Sequence, residues 1–204
     1  MLGNRIGTTA SGKGALPNDS KGVTIDGSSN NKIGDGTSAG SNTIAFNGLD
    51  GVEVFGASTG NKVSRNSLFS NGGLGIDLLD TSEGSFTDVS NPNDAGDADS
   101  GPNALQNKPV LSSAKIVSGK STIRGRLSSK SKQSYVVRFF SNPSGGDEGK
   151  KFIGQKKVTT GKDGKVSFTF SPAQKVGVGE TVTATATGSE GTSEFSAPRK
   201  VVAA

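Results

Sequence analysis

The chain has 204 residues, with 31 glycines, 30% hydrophobic residues, a formal charge of +5 and no Cys, His or Trp. Without Cys there are no disulfides and no thiolate metal ligands; without His there is no Ser–His or Cys–His nucleophile. So few apolar residues would not fill one large core, which points to small cores or a stacked, quasi-one-dimensional one.

Charge is divided along the chain. Residues 1–108 hold 7 Lys and Arg against 12 Asp and Glu, a balance of −5, and residues 109–204 hold 16 against 6, a balance of +10. No run of 18 apolar residues occurs, so no membrane span is expected. Met1-Leu2-Gly3-Asn4 lacks the apolar core of a signal peptide, and the chain is expected to have been cut from a longer one.

The first half repeats. Asn42-Thr43-Ile44-Ala45-Phe46-Asn47 aligns with Asn66-Ser67-Leu68-Phe69-Ser70-Asn71, and Gly51-Val52-Glu53-Val54 with Gly75-Ile76-Asp77-Leu78, each pair 24 residues apart. An earlier copy has Asn18 followed by Gly22-Val23-Thr24-Ile25, and shorter echoes read Asn4/Ile6, Asn31/Ile33 and Asn61/Val63. Period-2 alternation over so few residues predicts short strands with one buried face, and glycine this dense disfavours helix. Stacking such turns predicts a parallel β-helix over residues 1–80. Val23, Ile25, Val52, Val54, Ile76 and Leu78 would point inward. Asn18, Asn47 and Asn71 would share one corner as a side-chain amide ladder in left-handed backbone, with a loop bulging within Gly34–Ser41.

Asn4-Arg5-Ile6-Gly7, Ala15-Leu16-Pro17-Asn18, Asn31-Lys32-Ile33-Gly34 and Asn47-Gly48-Leu49-Asp50-Gly51-Val52 resemble the right-handed β-helix repeats of large bacterial surface and secreted proteins, a fold shared with the pectate-lyase-like superfamily. The resemblance implies an extracellular, bacterial-type setting. It carries little about activity, because the repeat is structural.

Residues 81–108 read as an Asp/Asn/Gly-rich linker. In it, Asp97-x-Asp99-x-Gly101-x-Asn103 has the alternate spacing of oxygen ligands in a Ca²⁺ loop, although Gly101 takes the fifth position and no Glu closes the set; Asp94, Asp97, Asp99 and Asn103 are the candidate ligands. The other reading is a connector rich in Asx turns. In the surface proteins that the chain resembles, such a stretch, with the following Asn103-Ala104-Leu105-Gln106-Asn107-Lys108-Pro109-Val110-Leu111, marks the exit from the β-helix.

From Pro109 the alternation lengthens. Strands are expected at 110–117, 121–128, 134–141, 151–158, 165–170, 180–187 and 193–202, which together predict a β-sandwich over 109–204. Val137, Phe139, Phe152, Phe168, Phe170, Val182, Ala184 and Phe195 would form its core, and Thr181, Thr183, Thr185 and Thr187 would face solvent. The run Thr183-Ala184-Thr185-Ala186-Thr187 through Thr192-Ser193-Glu194-Phe195-Ser196 is similar to the last hairpin of immunoglobulin-like or fibronectin-III-like modules that follow such β-helices.

Catalytic groups are sparse. Glu53 and Asp77 would face outward in register on adjacent turns, either as a retaining pair or cation bridge or, the favoured reading, as two solvated acids on a surface column. No third acid is evident beside them, and Arg65 is a weak candidate for a lyase base. The Lys-rich second half could attract polyanions, but without interleaved aromatics nucleic acid is not expected. A solvated basic face is the default. The expected function is therefore a non-enzymatic, secreted or cell-surface structural or adhesive module, with no catalytic residue. Its opposite charges would let it associate head to tail into a layer or fibre, and its partners would be itself or cell-surface polysaccharide. A fragment of a polysaccharide lyase or glycoside hydrolase and a glycan-binding module are the alternatives.

Overall fold

The structure, a computed structural model, describes residues 1–80 and 89–204; part of the expected linker lies outside them. The protein is all-β. Eight short strands come first: β1 Arg5–Ile6, β2 Val23–Asp26, β3 Lys32–Ile33, β4 Thr43–Ala45, β5 Val52–Phe55, β6 Lys62–Val63, β7 Ser67–Phe69 and β8 Ile76–Leu78. The chain visits three sheets in a fixed rotation, so β1, β4 and β7 form one, β2, β5 and β8 the next, and β3 and β6 the last. All pairs are parallel. Val23, Val52 and Ile76 stand in one register, as do Ile25, Val54 and Leu78. These aliphatics, with Ile33, Ile44, Val63 and Leu68, form one column, buried except for the half-buried Val23. The segment between β3 and β4 is a loop, as expected.

Strands of two to four residues leave most main-chain groups to the corners, and asparagine satisfies them there. Asn18 Nδ2 donates to Asn47 Oδ1 (2.7 Å), and Asn47 donates both its N–H (3.2 Å) and Nδ2 (2.9 Å) to Asn71 Oδ1. A second ladder runs Asn4–Asn42–Asn66 and a third joins Asn31 to Asn61. One expectation is corrected. The left-handed residue at the first corner precedes the asparagine, being Phe46 (φ 62°) and Ser70 (φ 57°). The asparagine keeps ordinary dihedrals, so its N–H and side-chain amide converge on one acceptor of the next turn.

The second half holds β9 Val110–Val117, β10 Lys120–Ser128, β11 Ser134–Asn142, β12 Lys151–Thr159, β13 Lys165–Phe170, β14 Thr181–Thr187 and β15 Arg199–Ala203. They bond in the order β12-β11-β14-β15-β9-β10-β13, and the two edge strands touch, so the sheet nearly closes like a barrel. The join of β14 to β15 is only two residue pairs long. Phe139 anchors the core, edge-on to Phe168 (5.6 Å) and stacked on Phe170 (4.3 Å).

Three details differ from expectation. The last strand starts at Arg199, because Thr192–Ser196 runs along β14 and serves the stacked turns instead. The β14 threonines are buried: Thr181 and Thr183 donate to the carbonyls of Gly146 and Glu148, and Thr187 shares a hydroxyl contact with Thr192. Phe152 and Phe195, with Phe140, pack in the aliphatic column of the first half. Phe140 meets both rings edge-on, at 5.8 and 5.4 Å.

The second half thereby seals one end of the stack. Leu68 in β7 exchanges two main-chain bonds with Gly149, each 3.0 Å. In β6, Val63 N–H donates to Thr192 Oγ1 (3.0 Å). In β8, Leu78 N–H points to Glu194 Oε1 (3.4 Å), while Asn91 Nδ2 donates to Leu78 O (2.7 Å). Two ladders end on residues from outside the repeats, Asn71 on Glu148 and Asn61 on Asn103.

Candidate functional site

Two carboxylate clusters and one cleft hold the concentrated chemistry. The first cluster lies on the stack. Val52 and Val54 point inward, which turns Glu53 to the opposite side of β5; Ile76 and Leu78 do the same for Asp77 in β8, and the two acids pair in register. The register matches expectation but the solvation does not. Glu53 is 4% exposed and Asp77 2%. Asp50, from the turn before β5, completes a trio whose carboxylate oxygens lie within 4.8 Å of one another. Leu74 N–H donates to Asp50 Oδ1 (2.7 Å). A Cβ on Gly73 would stand 2.4 Å from that oxygen, so glycine there makes room for the carboxyl. Lys21 Nζ lies 3.0 Å from Glu53 Oε2 and neutralises part of the charge.

Asp50 is the third acid that sequence reasoning missed. It stands within the Asn47–Val52 motif, but strand alternation carries no signal for a turn residue reaching onto the strand face. Such a trio has the hard oxygen donors that suit a divalent cation. Its burial, with Lys21 against it, keeps it from a bulky polymer in this conformation.

The second cluster lies where expected in part. Asp94, Asp97 and Asp99 bring carboxylate oxygens within 4.8 Å of one another. Asp97 is buried and well supplied: Asn107 N–H donates to Oδ1 (2.6 Å), Gln106 Nε2 to Oδ2 (2.9 Å), and Ser129 Oγ also to Oδ2. Burial still outweighs these bonds and raises its pKa. Asp99 is pushed up to about 6 by burial and by the neighbouring charges of Asp94 and Asp97. Its Oδ1 is buried without a hydrogen-bond partner. Asn103 is not positioned as expected. Its Oδ1 accepts from Asn61 N–H (3.0 Å), and its Nδ2 donates to the carbonyls of Asn61 (2.9 Å) and Thr192 (3.1 Å). Asn107, Gln106 and Ser129 are the polar partners that spacing alone does not reveal.

No protein-family model matches the chain, and no curated protein matches it.

The cleft, about 370 Å³, lies where the stack meets the second half and is lined in part by Leu74, Ser90, Lys108, Glu148, Glu194 and Phe195. Two of its acids, Glu194 and Glu148, are engaged in closure. Glu194 accepts from Asn91 N–H (3.0 Å), Asn91 Nδ2 (2.8 Å) and Lys108 Nζ (3.1 Å). Glu148 accepts from the N–H and Nδ2 of Asn71; burial nonetheless pushes its carboxyl up to about 7. Arg65 is likewise occupied, its guanidinium 4.7 Å over the Phe152 ring. Across the same junction Lys150 sits 4.5 Å over Phe69.

Proposed function

We propose that the chain is a non-enzymatic structural or adhesive module of a secreted or cell-surface protein, built from a few coils of a right-handed parallel β-helix and an immunoglobulin-like sandwich. The fixed rotation of β1–β8 through three parallel sheets supports the first part of that architecture. The two-pair join of β14 to β15, which divides the series into three strands and four, supports the second.

One observation carries the functional reading: Glu53, Glu148 and Glu194, the acids placed for acid–base chemistry, are buried and bonded into the fold. Glu148 and Glu194 hold the end of the stack, and Glu53 is paired with Lys21. Its partners are cell-surface polysaccharide and other copies of itself. Because one end of the stack is sealed, charge complementarity rather than coil stacking would drive head-to-tail contact there. The test pairs two assays on the purified chain. Incubation with neutral and acidic polysaccharides is expected to release neither reducing ends nor unsaturated uronates. Sedimentation at low salt is expected to show reversible association that salt suppresses. Sugar release would overturn the reading, and a strict monomer at high concentration and low salt would overturn its self-associating part.

The Asp50–Glu53–Asp77 trio favours a second reading, a polysaccharide-degrading fragment. That reading requires sugar release abolished by Glu53→Gln.

A further inference from the structure

The cations of the second half are not spread evenly. In β10 the burial alternates, placing Lys120, Arg124 and Arg126 outside while Ile123 and Leu127 fill the core. Neighbouring strands extend this outer face. Lys115 of β9 lies opposite Thr122, and Lys165 of β13 opposite Ser128. In β15, Val202 lies beside Lys115, so Lys200, two residues earlier, shares the side. All six cations are exposed, and none takes part in the three ion pairs among the described residues.

The strands β13, β10, β9 and β15 contain no Asp or Glu at all. Asp163, in the turn before β13, spends Oδ1 on the Lys165 N–H (3.1 Å). Between the cations stand hydroxyls: Ser113 and Thr169 flank Arg124, and Ser167 flanks Arg126. A sheet face with this one-sign pattern repels itself and lowers its energy by taking up anions.

We propose that this four-stranded face binds an acidic polysaccharide. Strands lie about 4.8 Å apart, and alternate residues of one strand about 7 Å apart. On that grid Lys165, Arg126, Arg124, Lys115 and Lys200 follow one another diagonally across the four strands at roughly 7–9 Å, a line of cations for a polyanion to lie along, with hydroxyls between them to meet the sugar's own. The aromatics of these strands, Phe168 and Phe170, point toward the core. Contacts are therefore ionic and hydrogen-bonded rather than stacked, which disfavours unpaired bases. The inference rests on the surface-module reading for its setting and adds the ligand class and the site.

The test measures binding of the full chain to polygalacturonate and to dextran sulfate, with neutral dextran and duplex DNA alongside, over a range of salt. Lys115→Ser/Arg124→Ser/Arg126→Ser removes three cations from the face. Lys151→Ser/Lys156→Ser/Lys157→Ser removes three exposed ones from β12 and matches the change in net charge. The face variant is expected to lose at least about tenfold in affinity and to show a shallower salt dependence, and the β12 variant to stay within about twofold. The better of the two polyanions distinguishes carboxylate from sulfate recognition. Equal losses in both variants, binding to neither polyanion, or tighter binding to DNA would each overturn the proposal. Absence of polyanion binding by the unaltered chain, with its low-salt self-association intact, would remove this site and leave the structural reading standing.

Discussion

Glu148 meets Asn71 with both carboxylate oxygens, Oε1 taking the main-chain N–H at 3.0 Å and Oε2 the side-chain amide at 2.7 Å. The acid occupies the place that the next asparagine of the ladder would fill. Burial raises its pKa from 4.5 to about 7. The unfolded chain therefore releases this proton about two and a half units earlier than the folded one. Stability from this group is greatest below about pH 4.5 and falls as pH rises through 7, by a total of about 3 kcal/mol. Urea midpoints at about pH 5 and about pH 8 should differ accordingly. Glu148→Gln should flatten that difference and cost about 1–2 kcal/mol at the lower pH, since its NH₂ would face the Asn71 donor.

Asn47 is 2% exposed, receives one amide bond and gives two. Asn47→Ala strands the Asn18 amide and leaves Asn71 Oδ1 with only the main-chain N–H of residue 47, and should cost about 2–3 kcal/mol in chemical denaturation. Asn47→Asp should cost more near neutral pH, because it sets a carboxylate against that same oxygen.

Gly51 and Gly27 separate steric from dihedral constraint. A Cβ on Gly51 would lie 2.7 Å from the carbonyl oxygen of Gly75, with 3.0 Å to Leu68 and Asn71. Gly27 (φ +52°) has open space around it. Gly51→Ala is expected to destabilise by about 2–4 kcal/mol by forcing two turns apart, and Gly27→Ala by about 1 kcal/mol through its backbone alone. Thermal melts of the two variants would compare them directly.

Asp99 gains by losing its charge. Its pKa near 6 reflects burial beside Asp94 and Asp97, so at about pH 7.5 the ionised group opposes folding. Asp99→Asn and millimolar Ca²⁺ should each raise the Tm at that pH, and Ca²⁺ should add little to the variant. A Tm indifferent to Ca²⁺ in the unaltered chain would assign the cluster to the connector alone.

The register of the stack was legible because it is repeated: the step from Asn47 to Gly51 recurs from Asn71 to Gly75. Six of the seven later strands were legible from alternation. The seal was not. Its bonds join Asn71 to Glu148, Leu78 to Glu194 and Val63 to Thr192, separations of 77, 116 and 129 residues, through side chains that occur once and belong to no period. Burial of Glu53 and of the β14 threonines escaped for the same reason. Alternation tells which side a residue faces, not what later covers that side.

Gly149, Thr192, Glu194 and Glu148 engage positions that every turn offers again: a strand amide or a corner asparagine. The lid is thus indifferent to how many turns lie behind it. Excision or duplication of one 24-residue unit ahead of Asn66 would change the number of stacked turns and hand these bonds to the equivalent strand amides and corner asparagines, so reach can vary while the second half keeps its seat.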